Sequence, residues 1–333
     1  MDDLHELPVC GGRVAYRTSL GQQMIGDSRE VLERFEDGSI DLIVTSPPFA
    51  LLRKKSYGNE EQSAYVDWIA EFGAAALPKL ADTGSFVIDL GGAYQRGRPV
   101  RSLYNYRVLL RFVDELGYVL AEEFFWYNPA KLPSPIEWVN KRKIRVKDAV
   151  NTVWWLSKSD FPKADVEKVL KPYSGRMEKL LEDPDKFYSA KKRPSGHDVS
   201  SGFGTRRKGA IPPNLLEIPN TASTSHYLTT LKELGRDRHP ARFPSELPRF
   251  FVEFLTDPKD LVVDIFSGSN TTGEVAEALG RRWVSVEESE DFAALSAVRF
   301  TAEWDLAAVR ELISRIEGGE SVDLRPLQKA LFT

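Results

Sequence analysis

The chain has 333 residues, 42% hydrophobic and 11% aromatic, enough for a sizeable core in one large domain or in a domain carrying an insertion. No apolar run reaches the length of a membrane span, the acidic start "MDDLHELPVC" lacks the apolar stretch of a secretory signal, and a lone Cys10 excludes a disulfide framework and a cysteine-based zinc site. A cytoplasmic protein is expected, and a formal net charge of −4 argues against a nucleic-acid partner only while the charge is taken as a whole.

In chain order, "QQMIGDS" (22–28) and "DLIVTSPPF" (41–49) suit strands, and "QSAYVDWIAEFGAAALPKLA" has the three-and-four apolar spacing of a helix. "GSFVIDLGG" (84–92) reads as a third strand and "YNYRVLLRFVDELG" as a second helix. "LAEEFFWYN" (120–128) and "NTVWWLSKS" (151–159) follow with no strong helix between them, so they suit an antiparallel edge pair. The helix "ELPRFFVEFLT" then leads to the strands "LVVDIFSGS" (261–269) and "RWVSVEES" (282–289), separated by the helix "TTGEVAEALG". Seven strands alternating with helices predict an α/β sandwich around a mostly parallel sheet.

From about 160 to 238 the alternation is interrupted, and a basic block, residues 131–210, overlaps this stretch. The block holds 19 Lys/Arg against 10 Asp/Glu, a balance of +9 that leaves −13 elsewhere. Such a block suits a region that meets phosphates; a solvated lysine-rich helical insertion is the plainer alternative, and "PKADVEKVLKPYSGRMEKLLEDP" fits it in part. The stretch beginning "KKRPSGHDVSSGFGTRRKGA" is too long and aperiodic for an idle connection.

Two stretches carry chemistry. In "LVVDIFSGSNTTGEVAEALG" a buried strand and an acid lead through small residues Ser267, Gly268 and Ser269 into a helix, where backbone can approach a ligand. The dinucleotide glycine pattern and the P-loop lysine are both absent, which leaves a small polar ligand without a diphosphate and disfavours a nicotinamide oxidoreductase. Glu287 ends the next strand 23 residues after Asp264, where a carboxylate can accept from both hydroxyls of a ribose. In "TSPPF", two prolines leave carbonyls unpaired, Ser46 adds a hydroxyl and Phe49 a ring. That set suits the exocyclic amine of a flat base.

Together, "GDSREVLERFEDGSIDLIVTSPPF" and "DIFSGSNTTG" resemble the S-adenosylmethionine-dependent amino-methyltransferases that modify DNA in restriction–modification systems. The tetrapeptide precedes the cofactor loop, an order similar to that of the family's circularly permuted beta group, and "RHPARFPSELPRFFVEFLT" (238–256) is similar to its methionine-side segment. The resemblance implies a Rossmann-like methyltransferase fold with a seven-stranded sheet, an antiparallel edge hairpin and a recognition insertion. The expected division is a catalytic half (1–159), a target-recognition region (160–237) and a cofactor half (238–333). S-adenosyl-L-methionine is the implied cofactor and double-stranded DNA the implied partner, with monomer and homodimer both open.

Carried over by position, the resemblance assigns Asp264, Phe266 and Gly268 to the cofactor loop and Glu287 to the ribose. It assigns Asp27 to the adenine, Phe243 and Pro244 to the methionine side, and Ser46, Pro47, Pro48 and Phe49 to the target base. Trp126 matches a family tryptophan, although Tyr127, Asn128 and Pro129 depart from the pattern after it; Trp126 either stacks on the base or belongs to the core. Arg193, Arg206, Arg207 and Lys208 are the expected DNA contacts, since arginine suits guanine edges. A serine before Pro-Pro-aromatic usually accompanies N4-cytosine in this family, with N6-adenine the alternative. Methylation at carbon 5 needs a cysteine nucleophile; Cys10 follows Val9 outside every motif, so that reaction is excluded.

Overall fold

Nearly continuous apolar runs become strands buried on both faces. The computed structural model describes residues 12–49, 64–187, 205–221 and 225–325. Its strands are β1 (Arg13–Arg17), β2 (Gly21–Ile25), β3 (Ile40–Thr45), β4 (Leu80–Gly91), β5 (Val119–Tyr127), β6 (Val150–Ser157), β7 (Leu215–Glu217), β8 (Leu261–Asp264), β9 (Arg282–Glu287) and β10 (Val322–Asp323). They form one sheet in the order β10-β1-β2-β9-β8-β3-β4-β6-β5-β7. Neighbours from β2 to β4 in that order are parallel, whereas β6 runs antiparallel to both β4 and β5.

The parallel centre and the β5–β6 pair match the expected architecture, but among the described residues the sheet has ten strands rather than seven. The additions are β1, β7 and β10. The last two have only three and two residues, too few to show a period-two pattern. Because β7 lies parallel beside β5, that pair is not the edge of the sheet.

The helices are α1 (Ser28–Glu33), α2 (Tyr65–Ala76), α3 (Tyr104–Leu110), α4 (Gly175–Glu182), α5 (Pro184–Phe187), α6 (His226–Glu233), α7 (Glu246–Leu255), α8 (Thr271–Ala278), α9 (Glu290–Ser296) and α10 (Leu306–Glu317). Strand residues Met24, Ile43, Phe86, Ile88 and Val263 pack with Val31 and Leu32 of α1, Ile69 and Phe72 of α2, and Val108 of α3. Alternate residues Val44, Val87 and Val153 turn to the other face, near Leu247 and Phe251 of α7. Each such side chain contributes roughly 1.5–3 kcal/mol by leaving water. No helix among the described residues is long and apolar enough to cross a membrane.

The chain divides into two compact units. One joins residues 1–163 to 214–333; the other is Ala164–Pro213. The smaller unit is narrower than the expected 160–237 region, because β7 enters the main sheet and α6 packs on the turn Ala297–Phe300. Within it, Ser174 caps α4, and Lys171 and Ala210 exchange backbone hydrogen bonds of 2.9 Å.

One close approach makes a stability test. A Cβ on Gly21 would lie 2.3 Å from the Trp283 ring and from its carbonyl oxygen. Trp283 cannot retreat, since it stacks on Phe300 at 5.4 Å and donates to Glu277 at 2.6 Å. Gly21→Ala is therefore expected to cost about 1–3 kcal/mol. The check is a lower urea midpoint at unchanged slope.

Candidate active site

Strand order brings the two distant stretches together. β3 and β8 are neighbours, with Leu42 opposite Val262 and Ile43 opposite Val263, so their carboxyl ends emerge side by side. Asp264, at the tip of β8, is buried and does not reach the cavity described below. It receives hydrogen bonds from Thr272 (2.6 Å), Thr45 (2.8 Å) and the Phe266 N–H (3.1 Å). Burial pushes its carboxyl up to about 6 against those three donors. Asp264 thus braces the loop and ties it to the residue before Ser46.

The loop after Asp264 turns sharply. Gly268 has φ +52°, a left-handed conformation that glycine adopts freely, and its Cβ would meet the His239 ring at 3.0 Å. Asn270 caps α8 by accepting from the Gly273 N–H (3.0 Å), and the largely buried Arg299 guanidinium holds Ser269 and Thr271 from behind. Glu287, at the tip of β9, accepts from the backbone N–H groups of Gly268 (2.7 Å) and Ser289 (3.0 Å). Burial pushes its carboxyl up to about 7, the two N–H groups pulling the other way.

Beneath these tips lies a cavity of about 540 Å³. It is lined by Ser46, Pro47, Pro48 and Phe49 from the first stretch and by Phe266, Gly268 and Glu287 from the second, with Asp27 and Phe243 on its wall. Asp264 and Pro244 are absent from the lining: the first turns into the loop, and Pro244 is buried before α7. Asp27 is committed elsewhere as well. It caps α1 and pairs with the Arg29 guanidinium at 2.5–3.1 Å, which holds its carboxyl below the usual range.

The structure also supplies wall residues not singled out from the sequence. Trp68 and Phe72 of α2 form an aromatic shelf with Phe266, ring centroids 5.5 and 4.7 Å away. Their helical spacing reads as core packing, which it also is. Asp89 of β4 and Asn151 of β6 flank the tetrapeptide. Ser46 donates to the Asp89 carboxylate at 3.0 Å, and the Asn151 amide donates to its other oxygen at 3.0 Å. Asp89 is fully buried, which lifts its carboxyl to about 6 against the Asn151 and Ser46 hydrogen bonds. A lone acid inside the apolar strand "GSFVIDLGG" was the available signal, since a buried aspartate needs partners. Trp126 is buried and its indole N–H donates to the Ile218 carbonyl at 2.9 Å, yet it also edges the cavity.

Phe49 lies against bare backbone. A Cβ on Gly91 would sit 2.4 Å from its ring and 3.2 Å from the Asn151 amide oxygen. Gly91→Ala must push the ring into the cavity. About a tenfold or greater loss of turnover is expected with cofactor affinity kept, checked by comparing steady-state rates with a cofactor titration.

The described residues among the expected DNA contacts belong to the smaller unit. Arg206 and Lys208, in the smaller unit, pair with Glu178 (2.6 Å) and Glu167 (2.5 Å) on the surface, and the Arg207 N–H donates to the Tyr173 hydroxyl (3.1 Å). Arg193 and Cys10 fall outside the described residues.

Known proteins are similar to this chain in sequence and fold. The model of the N6/N4 DNA methylase family matches residues 40–298. The type II methyltransferase M.PvuII of Proteus hauseri is 58% identical over 318 residues, 95% of each chain. The type II methyltransferase M.Cfr9I of Citrobacter freundii is 26% identical and matches 84% of this chain and 87% of its own length. Among solved structures, the PvuII DNA methyltransferase, named cytosine-N4-specific, superposes with a TM-score of 0.78 at 50% identity, covering 94% of this chain and 98% of its own. The matched span runs from the strand before Ser46 to the helix after Glu287, with every cavity-lining residue except Gly26, Asp27, Ser28 and Arg29 inside it, and the chain belongs to the N6/N4 DNA methylase family.

Proposed function

We propose that the chain moves a methyl group from S-adenosyl-L-methionine to the exocyclic N4 of a cytosine flipped out of duplex DNA at a specific sequence. One observation carries the chemistry: the Ser46 hydroxyl, hydrogen-bonded to buried Asp89, faces the same cavity as Glu287. M.PvuII, 58% identical, and the solved methyltransferase named cytosine-N4-specific support cytosine over adenine.

The residues present fit the cofactor. Glu287 offers a buried carboxylate to a diol, and the left-handed Gly268 leaves room that a Cβ would fill. Phe266, Phe72 and Trp68 offer apolar faces to a purine. Asp27, held by Arg29, suits a secondary contact at the adenine end. Phe243 would line the methionine end, with Pro244 fixing the chain behind it. When bound, S-adenosyl-L-methionine supplies a methyl group already activated by a cationic sulfur.

The protein's task is the nucleophile. The amine lone pair is delocalised into the base ring, and acceptors at its two N–H groups draw the nitrogen toward sp³. The Ser46 O–H donates its hydrogen bond to Asp89, so the Oγ lone pairs remain for one N–H; the Pro47 carbonyl takes the other. The methylated nitrogen must then lose a proton. It passes to Ser46 Oγ as the Ser46 proton passes to Asp89, whose carboxyl near 6 is ionised at neutral pH yet basic enough to accept. Asn151 holds Asp89 in place throughout. Extruding the base costs about a few kcal/mol, and stacking on Phe49 returns about 1–3 kcal/mol.

Target recognition falls to the basic 164–213 unit. Its exposed pairs Arg206–Glu178 and Lys208–Glu167 are weakly held and can trade a carboxylate for a phosphate or a base edge; Arg207 and Arg193 extend the same cationic stretch. The test is transfer of labelled methyl from the cofactor to duplex DNA, followed by nucleoside digestion. Labelled N4-methylcytosine is expected. Labelled N6-methyladenine would move the target to adenine, and no transfer to DNA would overturn the function.

A further inference from the structure

A loop stands at the mouth of this cavity. Residues 129–148 leave the end of β5 and return to the start of β6, and both limbs reach the wall: Asn128 and Lys131 on one side, Ala149 on the other. The limbs are tied together. Lys147 Nζ donates to the carbonyls of Pro129 (3.0 Å) and Lys131 (3.4 Å), and the Asp148 N–H donates to the Ser134 carbonyl (2.9 Å). Farther out, Trp138 is buried, and the Arg145 guanidinium donates to the Pro99 carbonyl at 2.7 and 3.1 Å.

On this braced frame two aliphatic side chains stand in water. Leu132 is 80% exposed and Val146 is 86% exposed. Leu132 directly follows the cavity residue Lys131, and the Lys147 ammonium ties the limb bearing Val146 to the backbone on either side of Ala130. Ile136 and Ile144 of the same loop are exposed as well. Aliphatic groups exposed on a braced loop at the cavity wall add nothing to the core and are free to meet a partner. The surrounding charge says which kind: residues 129–148 carry six Lys/Arg and two Asp/Glu. A cationic rim around an apolar pair complements a polyanion whose interior is apolar, which is a duplex opened at one step.

We infer that Leu132 and Val146 form the wedge that enters the base stack when the target cytosine leaves it. The inference rests on the methyl-transfer function proposed above. Removing a base from the stack exposes the faces of its neighbours and orphans the opposing guanine. Apolar side chains that fill the gap stabilise the extruded state and slow its collapse. The ties through Lys147 and Asp148 set the loop in shape beforehand, so little chain entropy is lost on insertion.

The test uses the full chain and a double variant, Leu132→Ser with Val146→Ser. Both positions are exposed, so the melting temperature and the cofactor affinity are expected to stay as they are. Methyl transfer is measured on a duplex whose target cytosine faces guanine and on one whose cytosine faces an abasic site, where no partner holds it. On the paired target the variant is expected to lose about tenfold or more in kcat/KM, and on the unpaired target less than about twofold. Equal losses on both substrates, or none on either, would overturn the wedge. Failure of the unaltered protein to methylate either duplex would overturn the proposed function and the wedge together.

Discussion

Replacing Ser46 by alanine is expected to cut turnover by about 10²–10³-fold while cofactor affinity stays within about twofold. The asymmetry follows from position. Ser46 follows the strand beside the cofactor loop, but its hydroxyl points to Asp89 on β4 rather than to Gly268 or Glu287. Asp89→Asn probes the same hydrogen bond from the other side. An amide there can donate to Ser46 Oγ and occupy the lone pair meant for the amine, and it cannot take the proton; a loss of about 10²–10⁴-fold is expected. The pH dependence separates the two variants. Asp89, raised by burial from 3.8 to about 6, accepts protons only when ionised, so turnover is expected to fall as pH drops through about 6. Asp89→Asn should leave a residual rate that is flat through that range. Single-turnover rates from about pH 5 to about pH 8 provide the check. A surviving inflection near 6 in the variant would remove Asp89 from the proton route.

Glu287→Gln is expected to act on binding instead. A hydrogen bond to a charged group contributes about 1.5–3 kcal/mol, so cofactor affinity should fall by about 10–150-fold, with a far smaller change in turnover at saturation. Glu287, pushed by burial from 4.5 to about 7, is half protonated near neutrality before ligand arrives. A ligand whose hydroxyls need the anion pulls its carboxyl back down and releases protons. Affinity is therefore expected to weaken about tenfold per pH unit below about 7, whereas the Gln variant titrates flat. Calorimetry in buffers of different ionisation enthalpy measures both the affinity and the proton count.

The tetrapeptide and the acid after the second strand were legible because each is a local device. A strand running into Ser-Pro-Pro-Phe leaves its tip open, and a strand, small-residue turn and helix followed by Glu287 obey rules that act within about 25 residues. Cofactor residues assigned by position differ in where their side chains stand. Phe266, Gly268, Glu287, Phe243 and Asp27 line the cavity, Asp27 while also paired with Arg29, whereas Asp264 turns inward to Thr45 and Thr272. A motif position says which residue type stands there but not which neighbour its side chain will find.

Local order alone determined the alternating strands and helices, the open strand tips and the small-residue turn, since backbone sterics and side-chain periodicity act over a few residues. Only the tertiary structure decided what those tips face. Asp89 and Asn151 meet Ser46 because β6 pairs antiparallel to β4 in the register that sets Gly91 opposite Asn151. The β3–β8 pairing spans about 220 residues of chain, and Ile218 returns beside Trp126 after an excursion of about 90. Such pairings are chosen by hydrogen bonding and burial across the whole sheet, so no periodicity written along the chain can announce them.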